Sequence, residues 1–223
     1  MAFNFSPKIV TNGLVLHLDA ASRKSYVSGS TTWNDLSRSQ ITGTLTNGPG
    51  FNSANGGSIT FDNVNDFVNL GNTIQAPTNF TITTWLSNPN SRQGGILTKG
   101  LVNDATEWGL SFGYSNPRLL VGRPRGFNQQ VSASWVPYTT GFHHIAYTVS
   151  GSNSSSLYIN NVLVSSNALT VSPGTSSENL QVGLHGTTYY FGGSVSNIQL
   201  YNRVLTAQEI LQNYNATKGR YGL

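Results

Sequence analysis

FDNVNDFVNL (residues 61–70), FHHIAYTVSGSNSSSLYINNVLVS (residues 142–165) and FGGSVSNIQLYNRVLTAQEI (residues 191–210) carry the reading of this chain. Each alternates apolar and polar residues with a period of two, and each is closed by Gly, Asn or Asp. That period sets one face of an extended strand against a core and leaves the other to polar surroundings. The pattern continues outward. Leu14, Leu16 and Leu18 alternate with Val15, His17 and Asp19, which predicts a first strand. FTITTWL (residues 80–86) puts Phe80, Ile82, Thr84 and Leu86 on one face, opposite Trp85. Trp108, Leu110, Phe112 and Tyr114 share a face and are expected in the core, with residues 118–122 as the neighbouring strand. Residues 179–184 and 194–202 are the last strands.

The connections are legible too. Residues 20–55 are rich in Ser, Thr, Asn and Gly and read as a loop-dominated excursion with one or two short strands. A tight turn at residues 63–66 lies between the runs 58–61 and 67–70. Asn160 and Asn161 separate two short strand runs, and Asn tolerates the positive φ of a type I′ turn, so a two-residue hairpin is expected. One helix is signalled. Thr206 and Glu209 form a T-x-x-E capping box, Ile210, Leu211 and Tyr214 its apolar face, and Lys218 and Gly219 its end. About a dozen short strands and one late helix predict an all-β antiparallel two-sheet sandwich, a single domain over residues 1–223 with its core at about 14–214.

Composition narrows the function. The absence of Cys removes disulfides, thiol catalysis and thiolate metal sites. Charged residues are 9% of the chain, against roughly 25% in ordinary globular proteins. The net charge of +4 reflects scarce acids, with no dense basic stripe. Arg118, Arg123 and Arg125, and Lys218 with Arg220, read as solvated loops, so no nucleic-acid partner is expected. The start, MAFNFSPKIV, has no apolar h-region, and no apolar run approaches the roughly 18 residues of a membrane span. These features suit a protein assembled in a cytoplasm and released by lysis, with no membrane insertion.

The quoted stretches, in this order, resemble the laminin-G-like, concanavalin-A-like jelly-roll domains. FDNVNDFVNL is similar to the family's F-D-G-x-D-D-Y-V turn, with Asn63 and Asn65 replacing Gly and Asp. FHHIAYTV and LYINNVLV resemble its W-H-H-V-A strand and L-Y-V-D-G hairpin, with Phe142 replacing Trp and Asn160–Asn161 replacing Asp-Gly. FGGSVSNIQLYNRVLTAQEI resembles its closing strand and helix. Compact domains of this style resemble virion proteins of marine tailed phages. The resemblance implies a jelly-roll sandwich and a non-enzymatic virion surface protein: a head decoration, appendage or tail-associated adhesin. Its implied partners are capsid or tail proteins, a host-surface glycan, and a second copy in a homo-oligomer. The basic end, residues 218–223, is the candidate for attachment to a neighbouring subunit. The rival readings are a cellular carbohydrate-binding or adhesion module and a jelly-roll polysaccharide lyase.

Catalysis is not expected. Glycoside hydrolysis needs two facing carboxyls roughly 5–9.5 Å apart. The glucanase pattern E-x-D-x-x-E is absent, and Asp104 and Glu107 fall on opposite faces of an extended chain. Arg118, Arg123, His144, Tyr147, His185 and Tyr189 are lyase-type residues, but the Q-[IV]-H strand is missing. His143 and His144 point to opposite faces, and His144 reads as a packed structural residue. Asp62 and Asp66, in an Asn-rich turn, are the residues a calcium ion would use. The turn-stabilising role of Asp and Asn is equally physical. The loop at residues 183–193 offers no carboxylate, so no metal and no cofactor is expected. That loop is the binding candidate: His185, Tyr189 and Tyr190 stand among Gly and Thr, where an aromatic ring can face solvent and stack on a sugar.

Overall fold

The alternating runs become strands of two facing sheets. The computed structural model describes residues 7–90, 93–102, 104–113, 116–125 and 129–223; Tyr114, expected on the core face, lies outside them. In chain order, β1 (Leu14–Asp19), β2 (Thr32–Asn34), β3 (Thr42–Thr46), β4 (Gly50–Asn52), β5 (Ser58–Asp62) and β6 (Phe67–Asn69) lead to the long β7 (Asn79–Ser87). β8 (Gly94–Lys99), β9 (Trp108–Phe112), β10 (Leu119–Arg123), β11 (Val131–Ser134), β12 (His143–Ser150), β13 (Ser154–Ile159) and β14 (Val162–Ala168) follow. The chain closes with β15 (Leu180–Val182), β16 (Leu184–His185), β17 (Tyr189–Tyr190), β18 (Gly192–Tyr201) and the helix α1 (Ala207–Thr217).

The first sheet runs β14-β13-β12-β7-β18-β5-β4, with β1 also on β18; the second runs β11-β10-β9-β8-β15-β6-β3-β2. All these pairings are antiparallel. The architecture is therefore the expected jelly-roll sandwich with one short C-terminal helix. Between the sheets, Phe80 lies 5.4 Å from Trp108 and 5.7 Å from Tyr147, and Phe112 stacks on Phe191 at 5.9 Å. Trp33 and Trp135, which alternation alone does not place, are fully buried in the same core.

Local expectations meet the structure unevenly. Asn160 and Asn161 both take positive φ (49° and 66°), as a type I′ hairpin requires. Residues 20–55 hold three short strands rather than one or two. The turn at 63–66 connects β5 of one sheet to β6 of the other, so it crosses the sandwich instead of closing a hairpin.

The outer face of the first sheet is covered by the chain's end. Trp85, projecting opposite Phe80 and Ile82, stacks on Tyr214 at 5.6 Å and on Tyr221 at 4.1 Å, and its Nε1 donates to Thr217 Oγ1 at 2.7 Å. α1 starts with the capping box foreseen at Thr206 and Glu209. Its buried residues are Ile210, Asn213 and Thr217, while Leu211 and Tyr214 are only half-buried. The reason is polar: Asn213 accepts from Val10 N at 2.8 Å and donates to Tyr201 Oη at 3.0 Å. A 3-10 turn, Lys218–Tyr221, continues α1, and Gly222 (φ 74°), not Gly219, supplies the left-handed end. The basic end is not a solvated loop. Arg220 forms a two-pronged ion pair with Asp19, both contacts at 2.9 Å, so this segment is anchored to its own domain rather than free to hook a neighbour.

His144 lies beside Trp85 at 5.4 Å, and burial pushes its pKa down to about 3. The unfolded chain binds a proton there near pH 6.5, so this histidine's contribution to stability is lost as pH falls from about 6.5 toward 3. Glu209, held at about 2 chiefly by its hydrogen bond to Arg203, adds a separate loss that begins only below about 4.5. Chemical denaturation across this range is expected to show stability declining below pH 6.5. His144→Phe should flatten the decline above pH 4.5 and leave the lower part in place.

Candidate functional site

Strand register builds a groove on the outer face of the first sheet. β18 pairs Ser194 with Thr60 of β5 on one side and with Ser87 of β7 on the other, so three hydroxyl side chains lie in a row across three strands. One step along, Gly192 faces Asp62, and the missing side chain leaves room beside the carboxylate. Gly193 is held by close approach: a Cβ there would sit 2.3 Å from the Ser87 carbonyl oxygen. The resulting groove, about 550 Å³, is closed by Asn90, Pro89 and the exposed Val64. Its walls offer hydroxyls, the amides of Asn63 and Asn90, one carboxylate and a small apolar edge.

Asp62 serves the turn as well as the groove. Its Oδ1 accepts from the main-chain N–H of Val64 at 2.8 Å and of Asn65 at 3.3 Å, and Asn63 takes a left-handed φ of 64°. Burial opposes ionisation of Asp62, but these main-chain donors outweigh it and hold the carboxyl below its ordinary pKa. Asp66 is shifted upward by burial and by the charge of Asp62, and its Oδ2 accepts from Asp62 N at 3.2 Å. Both calcium candidates thus spend oxygens on the main chain of their own turn. Among the described residues no three His, Cys, Asp or Glu side chains gather as a metal site.

The aromatic loop is a short hairpin of β16 and β17, pairing His185 with Tyr189 and Leu184 with Tyr190. His185 does not face solvent. It is 0% exposed, with Nε2 2.7 Å from Glu107 Oε1. The same carboxylate oxygen lies 3.2 Å from Arg123 Nε, and Arg123 Nη1 donates to Ser111 Oγ at 2.6 Å. His185 therefore pins the hairpin to β9 and β10 rather than meeting a ligand. Arg123 is likewise buried instead of solvated, whereas Arg118 and Arg125 are exposed as expected. Tyr189 and Tyr190 are half-buried. Phe191, next along, drops into the core, and its carbonyl accepts from Asn63 N at 3.0 Å. That bond ties the tyrosine hairpin to the Asp62 turn.

Two lyase-type residues, Arg123 and His185, converge on Glu107 beneath the surface, and the half-buried Tyr189 lies 6.5 Å from the His185 ring. Asp104 is not paired with Glu107: its Oδ1 accepts from Thr106 N at 2.8 Å and from Thr106 Oγ1 at 3.0 Å. His143 and His144 face opposite ways, His143 bonding Thr140 O and the Asn160 side chain while His144 is buried. Thr60, Ser87, Pro89, Asn90 and Ser194 carry no motif. The pairing of β18 with β5 and β7 brings Thr60, Ser87 and Ser194 together, and Pro89 and Asn90 follow the end of β7.

Fold and groove define a lectin-like jelly roll. The family described as the concanavalin A-like lectin/glucanases superfamily matches residues 61–211, and the chain belongs to it. Comparison with curated protein sequences finds no match. Among solved structures, it is similar to the binding domain of Paraclostridial Mosquitocidal Protein 1 (17% identity, TM-score 0.66, 92% of this chain and 52% of that one). It is also similar to the binding domain of Botulinum neurotoxin DC in complex with rat synaptotagmin II (12%, 0.71, 93% and 52%). A third is Trypanosoma rangeli sialidase in complex with sialic acid (17%, 0.65, 94% and 34%). The chain thus spans about half of each toxin binding domain and about a third of the sialidase.

Removing the Glu107 carboxylate strips the buried Arg123 and His185 of a common partner. Glu107→Ala is expected to cost about 3–5 kcal/mol in urea denaturation, and to speed amide exchange in β16 and β17. Glu107→Gln, which keeps an acceptor, should cost less. A loss below about 1 kcal/mol for the alanine variant would show that the cluster does not anchor the hairpin.

Proposed function

We propose that this protein is a non-catalytic recognition module that binds glycan at the groove between the Asp62 turn, the end of β7 and the start of β18. The observation that carries the reading is the row of Thr60, Ser194 and Ser87 hydroxyls beside the Asp62 carboxylate, edged by Val64 and Pro89. A sugar ring has the same division, hydroxyls around its rim and apolar C–H faces. Among the described residues Asp62 is the only carboxylate lining the groove, one member of the pair that hydrolysis requires. Tyr189 and Tyr190, half-buried and tied to the turn through Phe191 and Asn63, are the aromatic rings we assign to the rim of this site. Neighbouring folds that serve as toxin binding domains, one of them in complex with SialylT, support recognition as the role.

The test is an array of bacterial and marine polysaccharides read for binding and for new reducing ends. Binding without cleavage is expected. Asp62→Asn with Asn90→Ala should weaken binding by at least about tenfold, since each hydrogen bond to a charged group contributes about 1.5–3 kcal/mol, with the melting temperature little changed. Tyr189→Ala and Tyr190→Ala should weaken it further. Undiminished binding in all three variants would remove the groove from the proposal, and reproducible cleavage would remove the non-catalytic reading.

The setting we propose is the outside of a tailed-phage particle, as a head decoration or tail-associated adhesin that displays this surface to the host. The support is the resemblance of compact domains of this style to virion proteins of marine tailed phages, together with sparse charge and abundant Asn, Ser and Thr. Mass spectrometry of gradient-purified particles is expected to find the protein in many copies. Recovery from the lysate alone would leave this setting without support.

A further inference from the structure

Asp, Glu, Lys and Arg are all absent from residues 126–177, a run of 52 residues. Topology collects this run on one side of the molecule, because β12, β13 and β14 end the first sheet there and β11 ends the second. Three of the seven large apolar side chains exposed among the described residues lie in it: Val136 (53%), Val162 (62%) and Leu163 (53%). They are not scattered. The turn Val136–Tyr138 places Tyr138 5.2 Å from His143, and His143 Nδ1 lies 2.9 Å from Asn160 Nδ2, in the hairpin that leads into Val162. Leu163 stands across from Tyr158, which packs on the apolar cluster of Tyr201, Leu205 and Ile210.

The strand at this margin is open. Among the described residues, the main chain of β14 makes hydrogen bonds to β13 only. Beyond its end, the Gln129 side chain occupies the N–H of Thr170. Exposed edges are ordinarily guarded by charges, prolines or bulges. Here the guard is one irregularity, where the register slips at Val164, and it leaves residues 165–168 in regular pairing.

We infer that this margin is a self-association surface on which a second copy of the chain docks, β14 beside β14 about a twofold axis. A twofold sets each residue near its own counterpart, so any charged side chain close to the axis would meet its like. The uncharged run, the longest in the chain, removes that repulsion here, while the rest of the molecule carries the whole net charge of +4. A different partner would gain from charge complementarity, for which this surface has no means. Antiparallel addition satisfies the open main-chain groups, and Val162 and Leu163, projecting to opposite faces of the strand, are each partly covered by the added strand. The glycan groove, on β5, β18 and the end of β7, lies away from this margin, so both copies keep it accessible.

Sedimentation equilibrium from about 1 μM to about 1 mM tests this. The mass is expected to rise from 24.0 kDa toward twice that value. Leu163→Lys and Ser166→Lys, both at exposed positions, should each weaken the dimer by at least about tenfold, or about 1.4 kcal/mol, with unchanged unfolding midpoints. Hydrogen exchange should slow in Val162–Ala168 as concentration rises, and not in the variants. A single 24.0 kDa species throughout, a dimer indifferent to both lysines, or protection gained on another face would each overturn the inference.

Discussion

The structure depends on the hydrogen-bonding obligations of one strand. β18 lies against β7 along one edge, while its other edge is shared, first by β5 through Gly192–Val195 and then by β1 from Asn197 to Tyr201. The change of partner coincides with a bulge at Ser196. The bulged residue stays fully used: its carbonyl accepts from Ala20 N at 2.9 Å and its Oγ donates to Gly57 O at 2.7 Å. An extra residue also reverses which side chains face inward. Before it Val195 enters the core; after it Ile198 and Leu200 do, and Tyr201 turns outward to meet α1. The groove and the helix-covered face are thus the outer surfaces of one strand on either side of a single irregularity.

The C-terminal segment follows from the same constraint. With Trp85 and Tyr201 projecting from the outer face of a sheet, a large apolar surface would be wet without a cover. α1 and the turn after it provide that cover, and within it the polar atoms of Trp85, Tyr201, Asn213 and Thr217 are paired. Trp85 Nε1 reaches Thr217, Tyr201 reaches the Val10 carbonyl and Asn213, and Thr217 Oγ1 donates to the Asn213 carbonyl. A buried donor left alone costs more than an ordinary bond contributes, so the polar residues on the buried side of α1 are required by what they face. The helix is consequently less apolar inside than its role suggests.

A second buried polar set supports the surface we propose for recognition. Glu107, Arg123, Ser111 and His185 join the ends of β9 and β10 to the tyrosine hairpin. Phe191 then carries the chain into the core and back out to the groove. Rigidity at such a surface favours binding, because less conformational freedom is lost when a ligand is held. The arrangement is of positioning groups below and hydroxyl, amide and tyrosine groups above.

Local chemistry was legible in the sequence wherever it acts between near neighbours. The Asn160–Asn161 turn, the Thr206–Glu209 capping box, the alternation of Leu16 and Leu18 and the two-sheet class all follow from period and turn propensity, which operate over a few residues. Partnership between distant residues did not. Arg123 and Arg220 read as solvated because their carboxylates, Glu107 and Asp19, lie far along the chain or on another strand, and only folding brings the charges together. His185 stands in a glycine-rich loop that looks exposed, yet the pairing of β16 with β17 directs it onto Glu107. The groove was the least visible of all. Thr60, Ser87 and Ser194 are unremarkable alone, and they become a row of hydroxyls through cross-strand register, which no period in the sequence encodes.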